Sequence, residues 1–197
     1  MAKPRSEDRR NAILSAATRV IASQGLTAAA TAAIAKEAGV SNGSFFVYFD
    51  TKAALLNDLY LALKAEMMAA ATAGLDAGGE PREQVRRMWT QWLAWATASP
   101  HKRRALAQLE VADDITAGSR QAAHAAFSDI AGLVNRSRAG GPMRDVPLSF
   151  ALTLMTAIAE ATIDTVLREP AEAEAHSSAG FDAVWRVIAG PSVPAVT

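Results

Sequence analysis

The stretch Ile34 to Lys52, IAKEAGVSNGSFFVYFDTK, permits few backbone arrangements. Two short helices that cross closely need a small residue where their backbones meet, and Ala35 supplies it. Four residues on, Gly39 tolerates the positive φ that a sharp turn demands. Val40 and Phe45 then plug a core shared with Ile34. Ser41 is placed to cap the second short helix, which reaches about Tyr48. Ser41, Asn42, Gly43 and Ser44 put backbone amides and small polar groups at that helix start, where a phosphate or a base edge can be met. The segment reads as a helix-turn-helix.

Helical periodicity continues on both sides. From Ser6 to Gln24 the apolar residues Ile13, Ala17, Val20 and Ile21 share one face, and Gly25 suits a left-handed helix end. Thr31 to Ala38 forms the first helix of the motif. Lys52 to Thr72 is amphipathic through Leu55, Leu59, Leu63 and Met67, and Gly74 to Pro81 is a loop. Arg82 to Ala98 follows, then a helix holding Leu106 and Leu109, then one continuous helix from about Thr116 to Arg138. Ala139 to Pro147 reads as the clearest linker. Leu148 to Arg168 is apolar nearly all round, so it needs cover on more than one side. Pro170 to Ser177 reads as a polar connection, Ser178 to Ala189 as the last helix, and the tail from Gly190 as disordered. Alanine is abundant and β-branched residues are sparse, so the expectation is an all-α protein of about nine helices.

The chain has no cysteine, which excludes disulfides and thiolate chemistry. The basic N-terminus is followed by no apolar signal segment, so a cytoplasmic location is expected. Leu148 to Leu167 approaches membrane-spanning length, yet Glu160 and Asp164 would be costly in lipid; it reads as a helix buried in protein, with no membrane partner. Formal net charge is zero, but unevenly spread. Residues 1–52 carry seven basic and four acidic side chains, +3, which leaves 13 basic and 16 acidic in the remainder, −3. A basic head on an acidic body suits docking of one end on phosphate. The sequence contains no G-x-S-x-G elbow, phosphate loop or H-E-x-x-H, and its three histidines are scattered; no enzyme, metal or cofactor is expected.

The run Ile34–Lys52 resembles the helix-turn-helix of the TetR (tetracycline-repressor-like) family. Ile34, Ala35, Ala38, Gly39, Val40, Ser41, Gly43, Phe45, Tyr48, Phe49 and Lys52 fit that pattern, with Ser44 standing for threonine. Ala30 departs from the usual capping threonine and Ala32 from a frequently basic position. Phe46 replaces a tyrosine, and Val47 a polar residue. The resemblance implies a DNA-binding domain over 1–52 and a helical effector-binding and dimerisation domain over 53–197. It also implies a homodimeric regulator, usually a repressor, on a near-palindromic double-stranded operator. The candidate DNA contacts are Lys36, Ser41, Asn42, Gly43, Ser44, Phe46, Val47, Tyr48 and Lys52.

A mainly apolar small-molecule effector is expected beside the fifth helix, whose rings exceed what packing needs. Its candidate walls are Met88, Trp89, Trp92, Leu109, Phe127 and Met155, with Glu160 as a polar anchor. The last two helices, through Ile163, Val166, Phe181, Val184, Trp185 and Ile188, are the expected dimer interface. The competing classes are a DNA-binding protein without effector and a helical enzyme.

Overall fold

The computed structural model describes residues 3–76 and 78–190. Among them every regular element is helical: α1 (Lys3–Gln24), α2 (Thr31–Glu37), α3 (Asn42–Tyr48), α4 (Lys52–Thr72), α5 (Pro81–Ala98), α6 (Pro100–Glu110), α7 (Ala117–Ala126), α8 (Ser128–Ser137), α9 (Leu148–Arg168) and α10 (Ala173–Ala189). The fold class is as expected. The expected disordered tail lies beyond the described residues.

Two boundaries differ from the sequence reading. The helix expected from Thr116 to Arg138 is two helices, parted at Phe127, where ψ falls to 0°. Ser128 and Asp129 then occupy a new first turn, where an acid complements the helix dipole, so the local residues favour a restart. The expected connection Pro170 to Ser177 is mostly helix. A 3-10 turn over Pro170–Glu172 leads straight into α10, which therefore begins five residues before Ser178. This exposed turn has no apolar stripe to give it a visible period, while Ala173 and Ala175 carry the propensity. The split at Phe127 brings the α-helices from the expected nine to ten among the described residues.

Packing groups the residues into two compact units, Met1–Glu66 with Ser99–Ala125, and Met67–Ala98 with Ala126–Thr197. The first is larger than the motif segment because α1 packs against α6 as well as α2. Its core contains Ile13, Ala17, Ile21, Ile34, Phe45, Leu55, Leu59 and Leu109, all at most 2% exposed. The Gln108 amide joins α6 to the end of α1: it accepts from Leu26 N at 2.7 Å and donates to Ile21 O at 3.2 Å. The first bond satisfies the Leu26 amide just past the helix end at Gly25 (φ 85°), and the second adds to Ile21 O, which already accepts from Gly25 N. Nearby, the Tyr60 hydroxyl donates to Glu110, which is also ion-paired to Lys64. Burial first, and then the Glu110 carboxylate beside it, push the Tyr60 hydroxyl up to about 12.

In the second unit α5, α8, α9 and α10 pack on one another. Met88, Trp89, Leu133, Val134, Met155, Ile163, Val184 and Ile188 are buried there. The Trp89 indole donates to Ser177 O at 3.0 Å, so its one polar atom is satisfied inside the core. The segment between α8 and α9 is held at both ends: Arg138, 9% exposed, donates to Met143 O and Val146 O. α9 is less enclosed than its composition implies. Ala151, Met155, Ala159, Thr162 and Ile163 line its single buried face, and only 28% of its most apolar window is buried in the chain.

Candidate functional site

The turn between α2 and α3 is built from neighbouring residues. Val40 N donates to Ala35 O at 3.0 Å, and Gly39 N to Lys36 O at 3.1 Å, which folds the chain back across Ala35, 2% exposed. Gly39 has φ 68°, and a Cβ built on it would meet nothing within 4 Å. Backbone conformation, not space, is what calls for glycine there. Ser41 caps α3 as expected: its Oγ accepts from Ser44 N at 3.0 Å and lies 2.8 Å from Ser44 Oγ. Ala30, at the corresponding place before α2, is extended (ψ 147°) and makes no side-chain cap.

Phe45 and Phe49 fix α3 from beneath. Both are buried, their centroids are 5.9 Å apart, and the Arg10 guanidinium lies 5.4 Å from the centre of the Phe49 ring. At 100° per residue, Asn42, Phe46, Gly43 and Val47 then fall on one contiguous arc, and all four are exposed. Val47 is 79% exposed and Phe46 45%. Ser44 and Tyr48 flank the arc, half-buried. Lys36 is exposed in the last turn of α2. Lys52 is half-buried, and its Nζ donates to Leu26 O at 3.0 Å, which ties the start of α4 to the loop after α1. The basic excess of the head is partly internal, since Arg10 pairs with Asp58 at 2.6 Å and Arg19 with Glu37 at 2.7 Å.

The second unit holds an open cavity of about 460 Å³ on the side of α5 that faces α10. Trp89, Leu93, Val166 and Phe181 form its apolar walls, with Arg86 and Glu174 among its polar lining. The Arg86 guanidinium lies 4.8 Å from the centre of the Phe181 ring. Of the expected wall residues only Trp89 lines this cavity. Met88 and Met155 are core, Trp92, Phe127 and Glu160 are half-buried outside the lining, and Leu109 belongs to the other unit. Ile163, Phe181, Val184 and Ile188 are buried within the chain, while Val166 and Trp185 are half-exposed. Phe150, Ala157, Ala161 and Leu167 stand on the uncovered part of α9, and the sequence reading missed them because a helix apolar all round carries no phase. It also missed that Glu169, Glu172 and His176 meet at the α9–α10 junction, where His176 Nε2 lies 2.9 Å from Glu169 Oε2.

Comparison with known proteins bears on the same segment. Residues 13–59 match the family of bacterial regulatory proteins, tetR family. The HTH-type transcriptional regulator BetI of Stenotrophomonas maltophilia is 33% identical over 121 residues, 54% of this chain and 61% of that protein. The chain thus aligns with about three fifths of that relative's length. A Shewanella sp. PV-4 protein assigned to the tetR family of transcription regulators is 27% identical, with a TM-score of 0.81 covering 91% of this chain and 97% of that one. The TetR-like regulator LfrR of Mycobacterium smegmatis, solved in complex with proflavine, shares the fold at 18% identity and a TM-score of 0.67, covering 95% of this chain and 99% of its own. Residues 13–59 thus match the tetR family, and the helices of the chain share the fold of tetR-family structures.

Proposed function

We propose that the protein is a DNA-binding transcription regulator, a repressor that leaves its operator when a small molecule binds its second unit. The observation that carries this reading is the outward arc of α3, held in place by Phe45 and Phe49 and flanked by Lys36, Ser44, Tyr48 and Lys52. In a helix-turn-helix such an arc enters the major groove while groups at helix ends meet phosphates. Asn42, Gly43, Phe46 and Val47 are nearest the bases, and Lys36, Ser41, Ser44, Tyr48 and Lys52 serve the backbone. The protein works in the cytoplasm as a homodimer. Support for the dimer is the uncovered apolar face of α9, which in water calls for a second copy. The operator is then a near-palindrome, one half-site per subunit.

Support for an effector is the α5–α10 cavity, whose tryptophan, leucine, valine and phenylalanine walls suit a mainly apolar ligand with a polar end. The proflavine complex of LfrR is a precedent within the same fold. Release requires that the ligand prefer the state that fits DNA poorly, as population shift demands.

An operator selected from random duplexes tests the reading. Lys52→Ala should weaken binding to every sequence and lower the salt slope by about one unit. Unchanged affinity and slope would remove Lys52 from the interface. Failure of the wild-type chain to enrich any duplex would end the regulator reading. For the effector, tryptophan fluorescence titrated with lipophilic, aromatic and cationic compounds should change saturably, and the same compound should release the operator at matching concentrations.

A further inference from the structure

The outward arc of α3 is chemically unusual for a surface that reads bases. Its four members are an amide, a glycine, a phenylalanine and a valine, so Asn42 alone offers side-chain hydrogen bonds. No guanidinium or ammonium stands on it, and the fork that most often reads guanine is therefore missing. At the same time Val47 is 79% exposed, more than any other large apolar residue of the head, and Phe46 beside it is 45% exposed. The Phe46 ring stands edge-on to buried Phe45, centroids 5.2 Å apart at 78°, which gives the arc a stiff apolar shoulder. Valine has one rotatable bond, so little side-chain freedom is lost when it is covered.

In the major groove only one base-edge group is apolar, the C5 methyl of thymine. Resting on the DNA-binding reading above, we propose that Val47 reads a thymine methyl in each half-site and so determines sequence specificity. Asn42, on the same arc, supplies the one polar readout, and the amide matches the N6 and N7 edge of adenine. The half-site therefore holds thymine opposite Val47, and guanine carries no side-chain contact from the arc.

The test needs the wild-type chain and two variants, Val47→Ala and Val47→Ser, whose exposed position leaves the head core intact. Duplexes are selected from a random pool with the wild type, and each thymine of the selected half-site is then replaced singly by uracil, which pairs identically and lacks only the methyl. One position per half-site should lose affinity about fourfold on losing its methyl, the equivalent of about 0.8 kcal/mol for one buried carbon. Val47→Ser should bind the thymine and uracil forms equally, and Val47→Ala, which keeps one methyl, should retain at most part of the preference. Uracil tolerated at every position, or a Val47→Ser protein that keeps the thymine preference, would overturn the proposal while leaving DNA binding intact; the valine would then serve another contact, such as one to protein. If the wild type enriches no duplex at all, the DNA-binding reading and this inference fall together.

Discussion

Gly180 is the position where a single methyl should tell most about the second unit. It lies in α10 and is not among the positive-φ glycines, so only space is at issue: a Cβ there would press on Thr162 Oγ1 and stand 2.7 Å from Trp89 Cζ2 and 3.0 Å from Thr162 Cγ2. Neither neighbour is free to swing away. Thr162 Oγ1 donates to Ile158 O at 2.8 Å, and the Trp89 indole is 1% exposed and bonded to Ser177 O. In an open helix Gly→Ala would stabilise by about 1 kcal/mol. Overpacking a tight site costs about 1–3 kcal/mol, and a clash with two pinned side chains belongs at the upper end. Gly180→Ala should therefore destabilise by about 2 kcal/mol net. At a urea slope of about 2 kcal/mol/M that lowers the midpoint by about 1 M. Urea denaturation followed by far-UV circular dichroism at one fixed protein concentration reads this directly. Thr162→Ala in the same background should recover part of the loss, because it removes two of the three crowded atoms. A Gly180→Ala protein as stable as the parent or more so would refute the close three-helix crossing of α5, α9 and α10.

Three other outcomes are expected. Ala30→Ser should supply the cap α2 lacks and stabilise by about 1 kcal/mol, raising the thermal midpoint by about 2–4 °C; no rise would mean that the start of α2 is satisfied otherwise. Because the folded Tyr60 hydroxyl is raised from 10.0 to about 12, its contribution to stability is complete below pH 10 and lost as pH climbs toward 12. Tyr60→Phe should flatten that alkaline decline in thermal denaturation across this pH range; a decline as steep as the parent's would contradict the burial. Ala161→Glu, on the uncovered face of α9, should convert the proposed dimer to monomer in sedimentation without unfolding it. An unchanged mass would place the interface elsewhere.

The helix-turn-helix was legible in the sequence because its determinants are local. A cap bonds three residues away, a positive φ belongs to one glycine, and a close crossing needs one alanine, so Ser41, Gly39 and Ala35 describe their own geometry. The ends of α4 and α9 were legible for the same reason. Tertiary structure decided what depends on distant partners. The composition of α9 says that it is apolar but not which face its own chain covers; Ile163 turned inward at 0% exposure and Ala161 outward because α5, α8 and α10 pack on one side. The rings of α5 were visible as a cluster, yet whether each fills core or borders a cavity depends on residues some eighty positions away, such as Val166 and Phe181. That the Lys52 ammonium, beside the arc, also holds Leu26 O at 3.0 Å depends on a loop twenty-six residues away. Phase, cover and partnership are relations between segments, and only packing sets them.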